Sequence, residues 1–138
     1  MAKLLAYFAF MVSDNMPRPL SPHLHIYRWQ LTSVMSILHP MTGISLVVGS
    51  LLLVYWLCSA ALGEAAYQIA QGFLVSWVGL IALIGWSFAF YFHFANGVRH
   101  LFWDMGRGYS LHSTYRSGWL AIAAAFILTI MTWVTVFL

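Results

Sequence analysis

The sequence is short of charge. Asp, Glu, Lys and Arg make up only 7% of its 138 residues, against about 25% in a soluble globular domain. There are three acids in all, and the six Lys and Arg that give the net charge of +3 are scattered. That excludes a nucleic-acid interface, which needs cations clustered on one face. Cysteine is almost absent too. The single Cys58 permits neither an internal disulfide nor a multi-cysteine metal site, and reads as a small apolar packing residue. No glycine-rich dinucleotide pattern, internal repeat or low-complexity tract interrupts the chain.

What fills the gaps is apolar. Hydrophobic residues make up 62% of the chain. The charged positions are Lys3, Asp14, Arg18, Arg28, Glu64, Arg99, Asp104, Arg107 and Arg116, so three long stretches carry none. A bilayer core needs about 20 apolar residues in a helix. The gaps predict spans at about 36–62, 71–98 and 117–138, with a short loop over 62–72. In lipid every backbone polar group must be paired within the protein, so each span is expected to be a helix. The expected fold is an all-α membrane protein: an interfacial and extended lead-in over 1–35, then a three-helix transmembrane domain over 36–138. Residues 3–12 suggest a short interfacial helix, and Pro17, Pro19 and Pro22 enforce extended chain after it. Arg and Lys in the short connections set orientation. Lys3, Arg18 and Arg28 precede the first span, and Arg99, Arg107 and Arg116 follow the second. Both segments are therefore expected on the cytoplasmic side. The lack of an Arg- and Ser-rich leader favours a bacterial plasma membrane over the mitochondrial inner membrane.

The six histidines carry most of the chemistry. His23, His25 and His112 fall in polar segments and read as solvated. His93 lies six residues before Arg99, about 9 Å deeper along a helix. An ionisable side chain at that depth is a functional candidate, and neutral imidazole is the usual axial ligand of b-type haem iron. Gly97 falls on the same helical face at i+4, where a larger side chain would strike a porphyrin edge. His100 follows at i+7. Arg99 and His100 are candidates to pair haem propionates, and His100 can also pair with Asp104 at i+4. The alternative is plain helix packing through Gly97 with a hydrogen-bonded His93. Ser36 and His39 are neighbours at i and i+3. They suit either a quinone carbonyl or haem propionate near the surface, or a cap on a helix that starts there.

Three stretches resemble the cytochrome b556 membrane-anchor subunits of succinate dehydrogenase: RPLSPHLHIYRWQ at 18–30, SILHPMTG at 36–43, and HFANGVRHLFWDMG at 93–106. The resemblance implies a helical bundle shared with a second hydrophobic anchor subunit. It implies His93 as an axial ligand of haem b, with the other ligand from that partner, Ser36 in a ubiquinone site, and His39 near the propionates. FAD and iron–sulfur clusters would sit on separate flavoprotein and iron–sulfur subunits. The chain departs from the family at Pro40, where an arginine implicated in quinone binding is usual; Arg28, His39 or a partner residue would then supply the positive charge. Two related readings stand beside this one: the anchor of a fumarate reductase, and a stand-alone cytochrome in which His39 and His93 hold one haem between them. A haem-free transporter is disfavoured because no charged residues line the spans.

Overall fold

A computed structural model of the chain describes residues 26–138, together with Lys3 and Leu5. The proline-rich lead-in, with His23 and His25, lies outside the described residues, as does most of the expected interfacial helix. Four helices follow: α1 (Leu31–Leu62), α2 (Glu64–Leu74), α3 (Trp77–Asp104) and α4 (Leu111–Phe137). No strand occurs among the described residues.

Three of the helices can cross a membrane. α1, α3 and α4 contain 32, 28 and 27 residues, or about 40–48 Å at 1.5 Å per residue, longer than a hydrocarbon core of about 30 Å. α1 and α4 start at 31 and 111 rather than at 36 and 117, and α3 is shifted to 77–104 from the expected 71–98 because α2 takes up residues 64–74. α1 starts at Leu31 because Thr32, Ser33 and Ser36 are helix-compatible and nothing there breaks the backbone. Pro40 lies inside it and leaves the Ser36 carbonyl without its usual N–H donor. Two residues beyond Pro40, the Thr42 hydroxyl lies 3.0 Å from the Leu38 carbonyl and 2.7 Å from the His39 carbonyl. α4 starts at Leu111, behind a Ser110 cap whose hydroxyl accepts from the Ser113 N–H. His112 is therefore helical and exposed, not part of a loop.

The expected 62–72 loop is instead α2. Gly63, at φ 112°, adopts a conformation open mainly to glycine and turns the chain out of α1 directly into α2. Glu64 meets the positive end of the new helix. Ala70 is buried, and Trp56 Nε1 donates to Gln71 Oε1 at 3.0 Å, tying α2 back to α1.

α3 is the central helix, packed along both α1 and α4. Met35, Phe92, Ala121 and Ala125 form the core, with Phe88, Tyr91 and Ile122 against it. Small residues let the helices approach, as in other membrane bundles: Met35 Sδ sits where a Cβ on Gly118 would come within 2.9 Å. The outward surfaces stay apolar, as a lipid solvent requires. Backbone is approached closely at the α2–α3 turn, where a Cβ on Gly79 would stand 2.2 Å from the Phe73 carbonyl oxygen and 2.5 Å from that of Leu74. Both are backbone atoms with little room to yield. Gly79→Ala is expected to cost about 1–3 kcal/mol, read as a lower thermal midpoint in detergent. Gly85→Ala on the same helix meets nothing within 4 Å and should leave the midpoint unchanged.

Candidate functional site: a histidine cluster between α1 and α3

The antiparallel arrangement brings the start of α1, the end of α3 and the start of α4 to one end of the bundle. Arg28, Arg99, Arg107 and Arg116 all lie towards that end. Three imidazoles gather on its α1–α3 side. The His39 and His93 rings stack with centroids 4.1 Å apart and planes 9° apart. His100 stands 5.2 Å from His39 on the other side.

The His93 ring is half-buried and its Nδ1 is held. That nitrogen lies 3.1 Å from the His39 carbonyl oxygen and 3.2 Å from Thr42 Oγ1. A carbonyl can only accept, so the arrangement assigns the proton to Nδ1 and leaves the lone pair on Nε2. Nε2 makes no hydrogen bond among the described residues and is not shut away from the surroundings. A metal-binding histidine is typically held in this manner, with one nitrogen anchored on a carbonyl and the other free to ligate. Gly43 makes the approach possible: a Cβ there would come 3.1 Å from His93 Cε1. One turn beyond His93, a Cβ on Gly97 would meet nothing within 4 Å. Packing inside this chain therefore does not require glycine at 97, and the space beside the His93 face is open. These residues fit a haem held through His93.

His39 sits nine residues into α1, not at its start. The helix-cap reading of Ser36 and His39 is thereby excluded. The His39 Nδ1 is buried with no partner, while the Ser36 side chain is exposed. The stacking also bears on a haem held between His39 and His93. Two imidazoles on opposite sides of one iron meet tip to tip, with centroids about 6 Å apart for metal–nitrogen bonds of about 2 Å. Face-to-face rings at 4.1 Å leave no room between them for a porphyrin.

Arg99 departs from the expectation that grouped it with the histidines. Six residues on from His93 is about 240° around the helix, whereas seven is nearly two full turns. His100 therefore shares the His93 face, and Arg99 turns to α4. It is 7% exposed. Its Nε donates to Ser117 Oγ at 2.9 Å, Nη1 to Asn96 Oδ1 at 3.2 Å, and Nη2 to the Thr114 carbonyl at 3.0 Å. The guanidinium carbon lies 4.1 Å from the Trp103 ring centroid. His100 and Asp104 do not pair; His100 packs edge-on to Trp103 instead, at 4.9 Å and 87°. Thr42, Gly43, Asn96, Thr114 and Ser117 were not singled out by the sequence. Thr42 and Gly43 had a signal, since they close the SILHPMTG motif, and so did Asn96, which lies within HFANGVRHLFWDMG; Thr114 and Ser117 had none.

Three membrane-length helices, with an anchored and half-buried imidazole between two of them, define an all-helical membrane-spanning protein with a candidate histidine site. A family model described as succinate dehydrogenase/fumarate reductase transmembrane subunit matches residues 14–132. The succinate dehydrogenase cytochrome b556 subunit of Rickettsia typhi is 39% identical over 117 residues, 85% of this chain and 91% of the relative. That of Paracoccus denitrificans is 38% identical over 120 residues, 87% and 92% of the two chains. The succinate dehydrogenase cytochrome b560 subunit of Reclinomonas americana is 35% identical over 133 residues, 90% of each. The chain belongs to the succinate dehydrogenase/fumarate reductase transmembrane subunit family.

Proposed function

We propose that the chain anchors a succinate:ubiquinone oxidoreductase in the membrane and helps bind haem b and ubiquinone at the arginine-bearing end of the bundle. The observation that carries the haem assignment is the anchored Nδ1 of His93, which leaves Nε2 with a free lone pair beside the open face at Gly97. Haem b, when bound, supplies a one-electron store beside the route to quinone. The face-to-face packing of His39 on His93 keeps His39 from sharing a haem with it, so any further protein ligand to the group would come from a second hydrophobic subunit. Thr42 and the His39 carbonyl orient the ligand; Gly43 and Gly97 give it room.

Succinate oxidation releases two electrons and two protons. FAD and the iron–sulfur clusters that carry the electrons belong on partner subunits, since this chain has one cysteine and no dinucleotide motif. Quinone takes up two electrons and two protons to become quinol. Ser36 is exposed on α1, and its own carbonyl is freed by Pro40. Its hydroxyl can donate to a quinone carbonyl, and Arg28 or a partner residue supplies the positive charge that Pro40 lacks. The named relatives, which are succinate dehydrogenase subunits, favour this direction over fumarate reduction. The Rickettsia and Paracoccus relatives favour a bacterial plasma membrane. The clustered arginines favour a cytoplasmic N-terminus.

A tag on this chain should bring down a flavoprotein, an iron–sulfur protein and a second hydrophobic subunit, with succinate-dependent ubiquinone reduction in the pool. A stable preparation lacking all three would overturn the proposal. In that complex His39→Ala should perturb the low-spin haem spectrum while retaining it. Complete loss would instead point to both ligands lying in this chain.

A further inference from the structure

A concave site lies on the opposite side of α3 from the histidines. It is a groove of about 400 Å³ between α3 and α4. Its shallow end, at the α3–α4 turn, is lined by Arg107, Gly108 and Ser113; its deep end is lined by Ala95, Val98 and Ala121. Ala95 lies nine residues before the end of α3 and Ala121 ten after the start of α4. The groove therefore runs about 15 Å down from the turn. Arg99 lies along it.

The charge in this groove is unbalanced. Arg99 is buried, yet no ion pair forms among the described residues, and its partners are an amide, a hydroxyl and a carbonyl. A buried cation without a counter-charge is costly. Three of its five N–H groups are used, which leaves two for an acceptor. Arg107 adds a second cation at the mouth, while Asp104, the nearest acid in sequence, does not line the groove. The mouth is also shaped: Trp103 Nε1 donates to the Gly108 carbonyl at 3.3 Å, and the Tyr109 hydroxyl donates to the Trp103 carbonyl at 2.6 Å. Cations at headgroup level above an apolar channel are complementary to one class of molecule. Basic pockets between transmembrane helices recognise anionic lipid headgroups.

We propose that the α3–α4 groove binds an anionic phospholipid, with its phosphate between Arg107 and Arg99 and one acyl chain along Ala95, Val98 and Ala121. The site is separate from the histidine cluster and does not depend on haem or quinone binding there.

The intact complex, delipidated in detergent, is titrated with phosphatidylglycerol or with phosphatidylcholine of the same acyl chains and read by native mass spectrometry. Phosphatidylglycerol should be retained in preference. Arg107→Gln should lower its retention about fivefold, the effect of one cation near the membrane surface, and Arg107→Lys should restore it. Arg116→Gln removes the same charge from an exposed position outside the groove and should change nothing. Ser113→Asp, which places a carboxylate at the mouth, gives an independent variant with the same expected loss. Inorganic phosphate at equal concentration should not displace the lipid. The proposal is overturned by equal retention of the two lipids, by equal losses in Arg107→Gln and Arg116→Gln, by displacement with inorganic phosphate, or by a partner-subunit carboxylate seated in the groove.

Discussion

Replacing His93 by alanine is expected to abolish the low-spin b-type spectrum of the purified complex. The substitution removes the one imidazole whose Nδ1 is anchored and whose Nε2 stays free. Neither neighbour can substitute without rebuilding the cluster. His39 reaches the site from α1 and presents its ring face, with Nδ1 buried. His100 lies on the far side of His39 and packs on Trp103. Thr42→Ala tests the same geometry more gently. It removes one of the two acceptors around Nδ1, and loss of such an outer partner typically weakens a metal site about 10–100-fold. The haem should then be present but more easily extracted. An unchanged spectrum in His93→Ala would show that the iron is held elsewhere.

Arg99→Leu is expected to lower the thermal midpoint of the complex while leaving the haem spectrum in place. The side chain joins α3 to α4 through Ser117 and the Thr114 carbonyl and braces Asn96 within α3. Hydrogen bonds in membrane bundles average about 0.6 kcal/mol each, and charged donors give more. A loss of about 2–3 kcal/mol follows. Arg99→Lys should recover little, because an ammonium cannot address three acceptors through a planar fork. Ser117→Ala, which removes one bond, should cost well under half as much. A spectrum lost in Arg99→Leu at an unchanged midpoint would move the residue from helix packing to the cofactor. The contrast with His93→Ala separates the two faces of α3: one variant should cost colour, the other cohesion.

The three spans were legible because charge is so rare that its gaps mark them. His93 stood out as a candidate for a related reason, since a polar ring deep in an apolar run has few structural uses. α2 was not. Its residues, Glu64 to Leu74, read as a loop running into the second span because small and polar residues interrupt the apolar run there, and their burial depends on where α1 and α3 lie. The start of α1 was misplaced because Pro40 and the serines around it suggest a boundary, although lipid-buried backbone holds its helix across a single proline. Arg99 was grouped with the histidines by its closeness in sequence, where the angle around the helix decides the matter. The stacking of His39 on His93 depends on the mutual rotation of α1 and α3, which no local pattern encodes.

The tie between Arg99 and α4 has a consequence for biogenesis. When α3 leaves the ribosome, Ser117 and Thr114 have yet to follow. A lone guanidinium that near the hydrocarbon must reach back to the lipid headgroups until acceptors arrive. The last two spans are thus expected to settle together as a hairpin, the second completing the seating of the first. Chains halted before residue 117 should leave the third helix shallow and open to protease at its arginine end.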